Sequence, residues 1–177
     1  IVWGAPTFTI PRIEGITAAR NPNEVAQSLQ LLILLTVLSL APAILIMTTS
    51  FIRIVIVLSF TKTAIGTNQM PPNQVMVGLA LFLTFFTMAP TWDRVNKEGL
   101  QPYLSGQLSQ EVAMTKIMDP IRLFMFKQTR SKDLKLFIQA SHSPRPKKLE
   151  DIRTEVLIPA FVISELKTAF QIGFMIF

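Results

Sequence analysis

The charged residues of this 177-residue chain lie in blocks, and the long stretches between the blocks carry none. Residues 25–52 and 63–92 contain no Asp, Glu, Lys or Arg. As a helix, the first of these stretches would be roughly 42 Å long, whereas the hydrocarbon core of a bilayer is about 30 Å thick. Uncharged stretches of this length argue against disorder and predict membrane-associated helices.

The charge pattern divides the chain into four parts. We expect an irregular extracytoplasmic segment over residues 1–24 and a first pair of apolar helical segments over 25–92. A polar helical insert over 93–155 and the start of a third apolar segment over 156–177 follow. Because no strand-type alternation is sustained, the predicted fold class is all-α, with membrane-associated helical hairpins and a polar helical insert.

Prolines mark the expected helix boundaries. Pro42 interrupts the first apolar segment and predicts a kink or a break there. The second segment follows a Met-Pro-Pro-Asn breaker at residues 70–73 and is expected to end at Pro90. In the insert, Pro120 preceded by Asp119 predicts the start of a helix. Three apolar residues just after it would share one face of that helix: Ile121, Phe124 and Met125.

The orientation in the membrane is inferred from the N-terminus. The chain begins with Ile1 rather than Met, and removal of a signal peptide is one explanation. The first residues would then lie outside the cytoplasm. Two membrane crossings would return the chain to that side, so the polar insert is expected to be extracytoplasmic. Arg53 and Lys62 mildly favour a cytoplasmic first loop.

Charged residues inside apolar segments are the first candidates for function. Arg53 could form a buried ion pair or face a pore, or its charged end could reach the lipid headgroups. Glu165 and Lys167 interrupt the third segment. On a helix they point about 200° apart, so each needs a different partner or water, and Arg53 is one candidate for Glu165. The alternative is an ordinary helix end that lies just outside the apolar layer.

Two further patterns concern helix packing. Phe82, Phe85 and Phe86 form a stripe on one helix face, and Ala169 and Gly173 form a pair of small residues that lets helix backbones approach closely. Both patterns are explained by helix packing, within the subunit or between subunits, or by the lining of a channel.

Catalytic and metal chemistry find little support. The chain has no Cys, a single His (His142) and none of the common nucleotide-binding or nucleophile motifs. We therefore expect no enzyme activity, no cofactor and no metal. The charged fraction is only 16%, against about 25% in soluble domains, so the sequence pI near 10.0 indicates membrane lipid rather than nucleic acid as the partner.

Two separated blocks resemble a known family. MPPNQVMVGLALFLTFFTMAPT over residues 70–91 and PAFVISELKTAFQIGF over residues 159–174 are similar to stretches of the FliP family of flagellar type III export-gate proteins. FIRIVIVLSF around Arg53 and TRSKDLKLF around Arg130 match in type and order. The resemblance extends over residues 22–177.

This resemblance implies a subunit of an oligomeric channel complex in the bacterial cytoplasmic membrane, within the flagellar basal body. Its partners would be other copies of itself, FliQ-like and FliR-like gate subunits, FlhA-like and FlhB-like proteins and unfolded export substrates. Arg53, Glu165 and Lys167 would then make polar contacts needed for assembly. Because family members continue with another apolar hairpin, the chain is expected to lack that part.

Two rival functions stay open. A sister subunit from a virulence injectisome would share much of the pattern. An ion channel or solute transporter would also explain charged residues in apolar helices.

Overall fold

A computed structural model describes the backbone of residues 22–66, 71–141, 146 and 148–177, with side chains from Leu29 onward. These residues form helices joined by turns, and none of them lies in a β-strand, so the all-α prediction is confirmed. His142 and most of the predicted N-terminal segment lie outside the described residues.

Three stretches of the described helices are long and apolar enough to cross a membrane: Leu29–Thr48, Asn73–Leu104 and Thr154–Ile176. A π-helical turn, Asn96–Leu100, joins two of the α-helices, and a short 3₁₀ turn, Leu149–Asp151, precedes the last one. The α-helices in the described ranges are α1 (Pro22–Thr48), α2 (Phe51–Ala64), α3 (Asn73–Val95), α4 (Gln101–Leu104), α5 (Gln110–Gln128), α6 (Ser131–Ala140) and α7 (Thr154–Ile176).

The chain divides into two compact units, residues 1–41 and 42–177. The described part of the first unit is helical, and from residue 29 its leucine and isoleucine side chains are more than half exposed. Thr36 and Ser39 donate their hydroxyl hydrogens to backbone carbonyls four residues earlier, with oxygen–oxygen distances of 2.8 Å. These bonds satisfy the only polar side chains on this apolar surface between residues 31 and 41.

In the second unit, α7 packs against α2, α5 and α6, and α3 packs against α2 and α5. Its core contains the fully buried side chains of Met125, Leu157 and Phe161. Ile121 and Phe124 pack around them, and the Phe124 ring meets the Phe161 ring edge-on, with centroids 5.8 Å apart. The apolar face predicted after Pro120 is thus confirmed as part of the core.

Of the prolines used to predict boundaries, Pro72 is the N-cap residue of α3, which begins at Asn73 as expected, whereas Pro42, Pro90 and Pro120 lie inside helices. The prediction of a helix end at Pro90 is wrong, because α3 continues to Val95. The prediction of a helix start at Pro120 is also wrong, because α5 begins at Gln110 and runs through it. α1 includes Pro42, so no helix break occurs there. Each interior proline costs its helix about 3 kcal/mol, an amount that packing along a long helix can outweigh.

A close approach between helices depends on Gly99, which is buried in the π-helical turn after α3. A Cβ atom at this position would lie 2.6 Å from the Ile117 side chain and 3.0 Å from its backbone nitrogen. Only glycine therefore lets α5 pack this closely against the turn.

Candidate functional site: a polar junction on helix α7

An ion pair connects α2 to the middle of α7. The guanidinium of Arg53, in the first turn of α2, forms an ion pair with the carboxylate of Glu165, which is 0% exposed. The same Arg53 nitrogen, Nη2, donates a hydrogen bond to Gln128 Oε1 at 2.9 Å. Because Gln128 is the last residue of α5, this contact ties three helices together.

A second ion pair connects α6 to α7. Lys167 Nζ donates to Oδ1 of Asp133, a carboxylate buried in the first turn of α6. Ser164 Oγ donates to the other oxygen, Oδ2, at 2.9 Å. The same serine oxygen accepts the backbone N–H of Arg130 at 3.0 Å. Both carboxylate oxygens and the serine hydroxyl are therefore satisfied in the interior.

Electrostatics around Asp133 favour its charged form. The hydrogen bond from Lys167 lowers the pKa of the Asp133 carboxyl below its ordinary value, and burial opposes this effect. The Ser164 hydroxyl and the charges of Lys167 and Arg130 lower the pKa further. The carboxylate thus stays ionised at neutral pH although it is buried.

Arg130 extends the junction toward the end of α7. Its guanidinium donates to Thr168 Oγ1 at 3.0 Å and to Gln171 Oε1. Together with residues 164 and 167, these positions form a stripe at i, i+3, i+4 and i+7 of α7, so they lie on one helix face. The corner between α5 and α6 contacts this stripe, in which Ser164 is buried, Thr168 is half-buried, and the other two residues stay exposed.

A separate set of bonds holds the start of α7. Arg122 of α5 donates to Thr154 Oγ1 and, at 2.6 Å, to the backbone carbonyl of Ile152. Its guanidinium also lies over the Phe126 ring, 5.5 Å from the centroid. These contacts fix the entry of the chain into α7.

These contacts can position the helices relative to one another within the second unit. Within residues 22–66, 71–141, 146 and 148–177, no group of three or more His, Cys, Asp or Glu side chains could hold a metal ion. The charged groups of the junction are each held by an opposite charge or by neutral hydrogen-bonding groups.

Comparison with known proteins gives a family for this arrangement. The sequence model of the FliP family matches residues 34–177, most of the chain.

The chain belongs to the FliP family.

Several relatives are named "Flagellar biosynthetic protein FliP". The one from Bacillus subtilis (strain 168) is 55% identical over 162 residues, which cover 92% of this chain and 73% of the relative. That of Pectobacterium carotovorum subsp. carotovorum is 52% identical over 94% of this chain and 66% of its own length. That of Aquifex aeolicus (strain VF5) is 45% identical over 96% and 72%. The resemblance drawn from the two sequence blocks is confirmed.

In this FliP-family chain, the three charged residues predicted as functional candidates form ion pairs with other residues of the same subunit. Arg53 and Glu165 pair with each other, which is one of the alternatives that the sequence left open. Lys167 takes a different partner, Asp133, on another helix. Sequence reasoning missed Asp133 and Arg130. The polar stripe on α7 was the signal that could have located a polar helix beside it.

The predicted pair of small residues on α7 of this FliP-family chain lies in the interior. Ala169 and Gly173 are buried, and a Cβ atom on Gly173 would clash with the ring of Phe60 in α2. Phe60 also contacts Phe170 edge-on, with ring centroids 5.7 Å apart. Gly173 therefore packs against α2 of the same subunit, and Ala169, about one turn earlier on α7, is fully buried.

The phenylalanine stripe of α3 lies on the outside of the second unit. Its members are 68–78% exposed: Phe82, Phe85 and Phe86. Beside it lies an apolar hollow of about 300 Å³ between the last turns of α1, the start of α2, and α3. Its lining includes Leu45, Phe51, Leu81 and Trp92. This surface is available for contacts outside the subunit.

Proposed function

We propose that the chain is a core structural subunit of the bacterial flagellar type III export gate. With other copies of itself and with FliQ-like and FliR-like subunits, it forms the conduit through which unfolded flagellar proteins leave the cytoplasm. The observation that carries this proposal is the match of residues 34–177 to the FliP family, whose relatives are named for flagellar biosynthesis. The role is structural rather than catalytic.

The distribution of polar and apolar groups supports a subunit that is completed by neighbours. The charged residues of α7 are paired inside the chain. The outer surface carries large exposed apolar side chains, such as the phenylalanine stripe of α3 and Phe174 near the end of α7, 84% exposed. Apolar surface of this extent requires cover by lipid or by other protein.

The depth of the polar junction favours cover by protein around α7. Ser164 lies ten residues after Thr154, which starts α7, so it is about 15 Å along the helix, half the thickness of a hydrocarbon core. Yet its neighbours are the charged residues Arg130 and Asp133. A charged helix corner at this depth is costly in lipid, and surrounding subunits would remove that cost.

The family match and the apolar helices also support a location. We place the subunit in the cytoplasmic membrane at the flagellar basal body, beside FlhA-like and FlhB-like proteins. The polar insert, residues 93–155, lies on the extracytoplasmic side, apart from the corner between α5 and α6 that contacts the middle of α7. Labelling of single cysteines introduced at exposed positions such as Lys116, with a reagent that does not cross membranes, tests this orientation. Labelling only after the membrane is opened would contradict it.

Purification from the native membrane tests the function directly. The tagged full-length protein is extracted in mild detergent, and the co-purifying proteins are identified by mass spectrometry. We expect other flagellar export components. Recovery of injectisome components instead would favour the sister system, although the relatives reported above carry flagellar names. Ion or solute flux through proteoliposomes that contain this chain alone would favour a channel or transporter.

The phenylalanine stripe provides a prediction for assembly. Replacing Phe82 and Phe85 by Ala removes exposed apolar surface without disturbing the core, so we expect normal membrane insertion and fewer assembled complexes on native gels. Ile65, 71% exposed near the end of α2, provides the matched control Ile65→Ala. Unchanged complexes in the Phe82→Ala/Phe85→Ala variant would remove the stripe from the assembly surface.

A further inference from the structure

Three buried polar atoms stand out in the part of the chain that the structure describes. Ser50 Oγ, Arg53 Nε and Glu165 Oε2 are shielded from the surface and have no hydrogen-bond partner among the protein atoms. Buried polar atoms are nearly always paired, with protein or with ordered water. Three such atoms therefore call for an explanation.

The three atoms belong to residues at the start of α2 or paired with it. Ser50 immediately precedes α2, and Arg53 follows three residues later, a spacing that makes them neighbours on one helix face. Arg53 in turn pairs with Glu165 through Nη2 and Oε1, which leaves its own Nε and the second carboxylate oxygen unpaired. The unpaired atoms thus belong to the two residues of the α2–α7 ion pair and to Ser50, which precedes Arg53 by about one helical turn.

Their chemistry is complementary. Arg53 Nε carries a hydrogen to donate, Glu165 Oε2 can only accept while ionised, and the Ser50 hydroxyl can do either. A water molecule accepts and donates in the same way and is held in protein interiors by two to four polar partners. Few other ligands of this size satisfy a donor, an acceptor and a hydroxyl at once.

We propose that this junction is a binding site for a resident water molecule. The water accepts the hydrogen of Arg53 Nε and donates one hydrogen to Glu165 Oε2, and Ser50 Oγ provides the third bond. The Arg53 side chain is 27% exposed, so water can reach the site along it. The ion pair between α2 and α7 is therefore a hydrated one, and the water completes the bonding of the buried carboxylate.

A structure of the full-length protein in its assembly, at a resolution that shows ordered water, tests the site. We expect a density peak within hydrogen-bond distance of Arg53 Nε and Glu165 Oε2. Direct two-point pairing of the guanidinium with both carboxylate oxygens would overturn the proposal. A side chain of a neighbouring subunit bonded to Glu165 Oε2 would overturn it as well.

The Ser50→Ala variant provides an independent test by thermal unfolding in detergent. If Ser50 Oγ holds the water, its removal weakens a buried hydrogen bond and lowers the unfolding midpoint by about 2–4 °C. If the hydroxyl is unpaired, Ala relieves a buried polar group and the midpoint stays or rises, which would overturn the three-partner site. Ser59→Ala is the matched control, because the exposed Ser59 hydroxyl bonds the Val55 carbonyl on the same helix.

Discussion

Arg53 and Glu165 form one ion pair, yet removal of either partner should have unequal consequences. Glu165 is 0% exposed, whereas the Arg53 side chain is 27% exposed and retains its bond to Gln128. Arg53→Met keeps an unbranched apolar stem but leaves a buried carboxylate without its cation, at a cost of about 3–5 kcal/mol. Glu165→Gln keeps the side-chain shape and leaves the partly exposed guanidinium, at a cost of about 1.5–3 kcal/mol.

Unfolding in mixed micelles measures this difference. The purified variants are titrated with sodium dodecyl sulfate, and the loss of helix is followed by circular dichroism. The double variant Arg53→Met/Glu165→Gln should lose less than the sum of the two single losses, because it contains neither uncompensated charge. Arg94→Met is the control, since it removes only the exposed pair with Glu98 and should change the stability little.

The relative free-energy costs of the two single variants test whether burial of the carboxylate governs the ion pair. If Glu165→Gln costs as much as Arg53→Met or more, burial of the carboxylate does not govern the energetics of the pair. Strictly additive losses in the double variant would refute the direct coupling of the two residues.

Two further predictions concern α7 and its neighbours. Because the pKa of Asp133 is lowered in the folded protein, the carboxylate stabilises the fold above the ordinary Asp pKa, and this stabilisation is lost as the pH falls toward the folded pKa. In Asp133→Asn, the unfolding midpoint should therefore fall less steeply at acidic pH than in the unmodified protein. An unchanged fall of the midpoint at acidic pH would contradict this role of Asp133. Gly173→Ala should destabilise the protein by about 1–3 kcal/mol in the same micelle titration, because the new Cβ clashes with the Phe60 ring. Gly78→Ala in α3 is the control: its Cβ meets open space, so it should stabilise the protein by about 0.5–1 kcal/mol. Equal effects at both positions would contradict the close packing of Gly173 against α2.

The local sequence predicted the helices well but misread their boundaries. Pro90 and Pro120 looked like a helix end and a helix start, as they would be in an isolated peptide. In the folded chain α3 and α5 continue through them. A proline costs a helix the same local free energy in a peptide and in the folded chain, and only the packing of the whole helix determines whether that cost is outweighed.

At the candidate site, too, the local sequence predicted some features and could not predict others. The 200° separation of Glu165 and Lys167 predicted that they need different partners, because that separation depends only on helix geometry. The identity of the partners depends on which helices meet. Asp133 reaches Lys167 across 34 residues of chain, and Arg53 reaches Glu165 across 112. No local pattern contains this information.

The sequence by itself therefore determined the helical class, the membrane-length apolar segments and the family, because these follow from local composition and from long matching blocks. The tertiary structure alone decided that the charges of α7 are neutralised within the subunit and that Gly173 packs against α2 while the phenylalanines of α3 face outward. The physical reason is that a charge or a small residue in an apolar helix requires a partner group that the local sequence does not identify. Only the packing of distant helices supplies one.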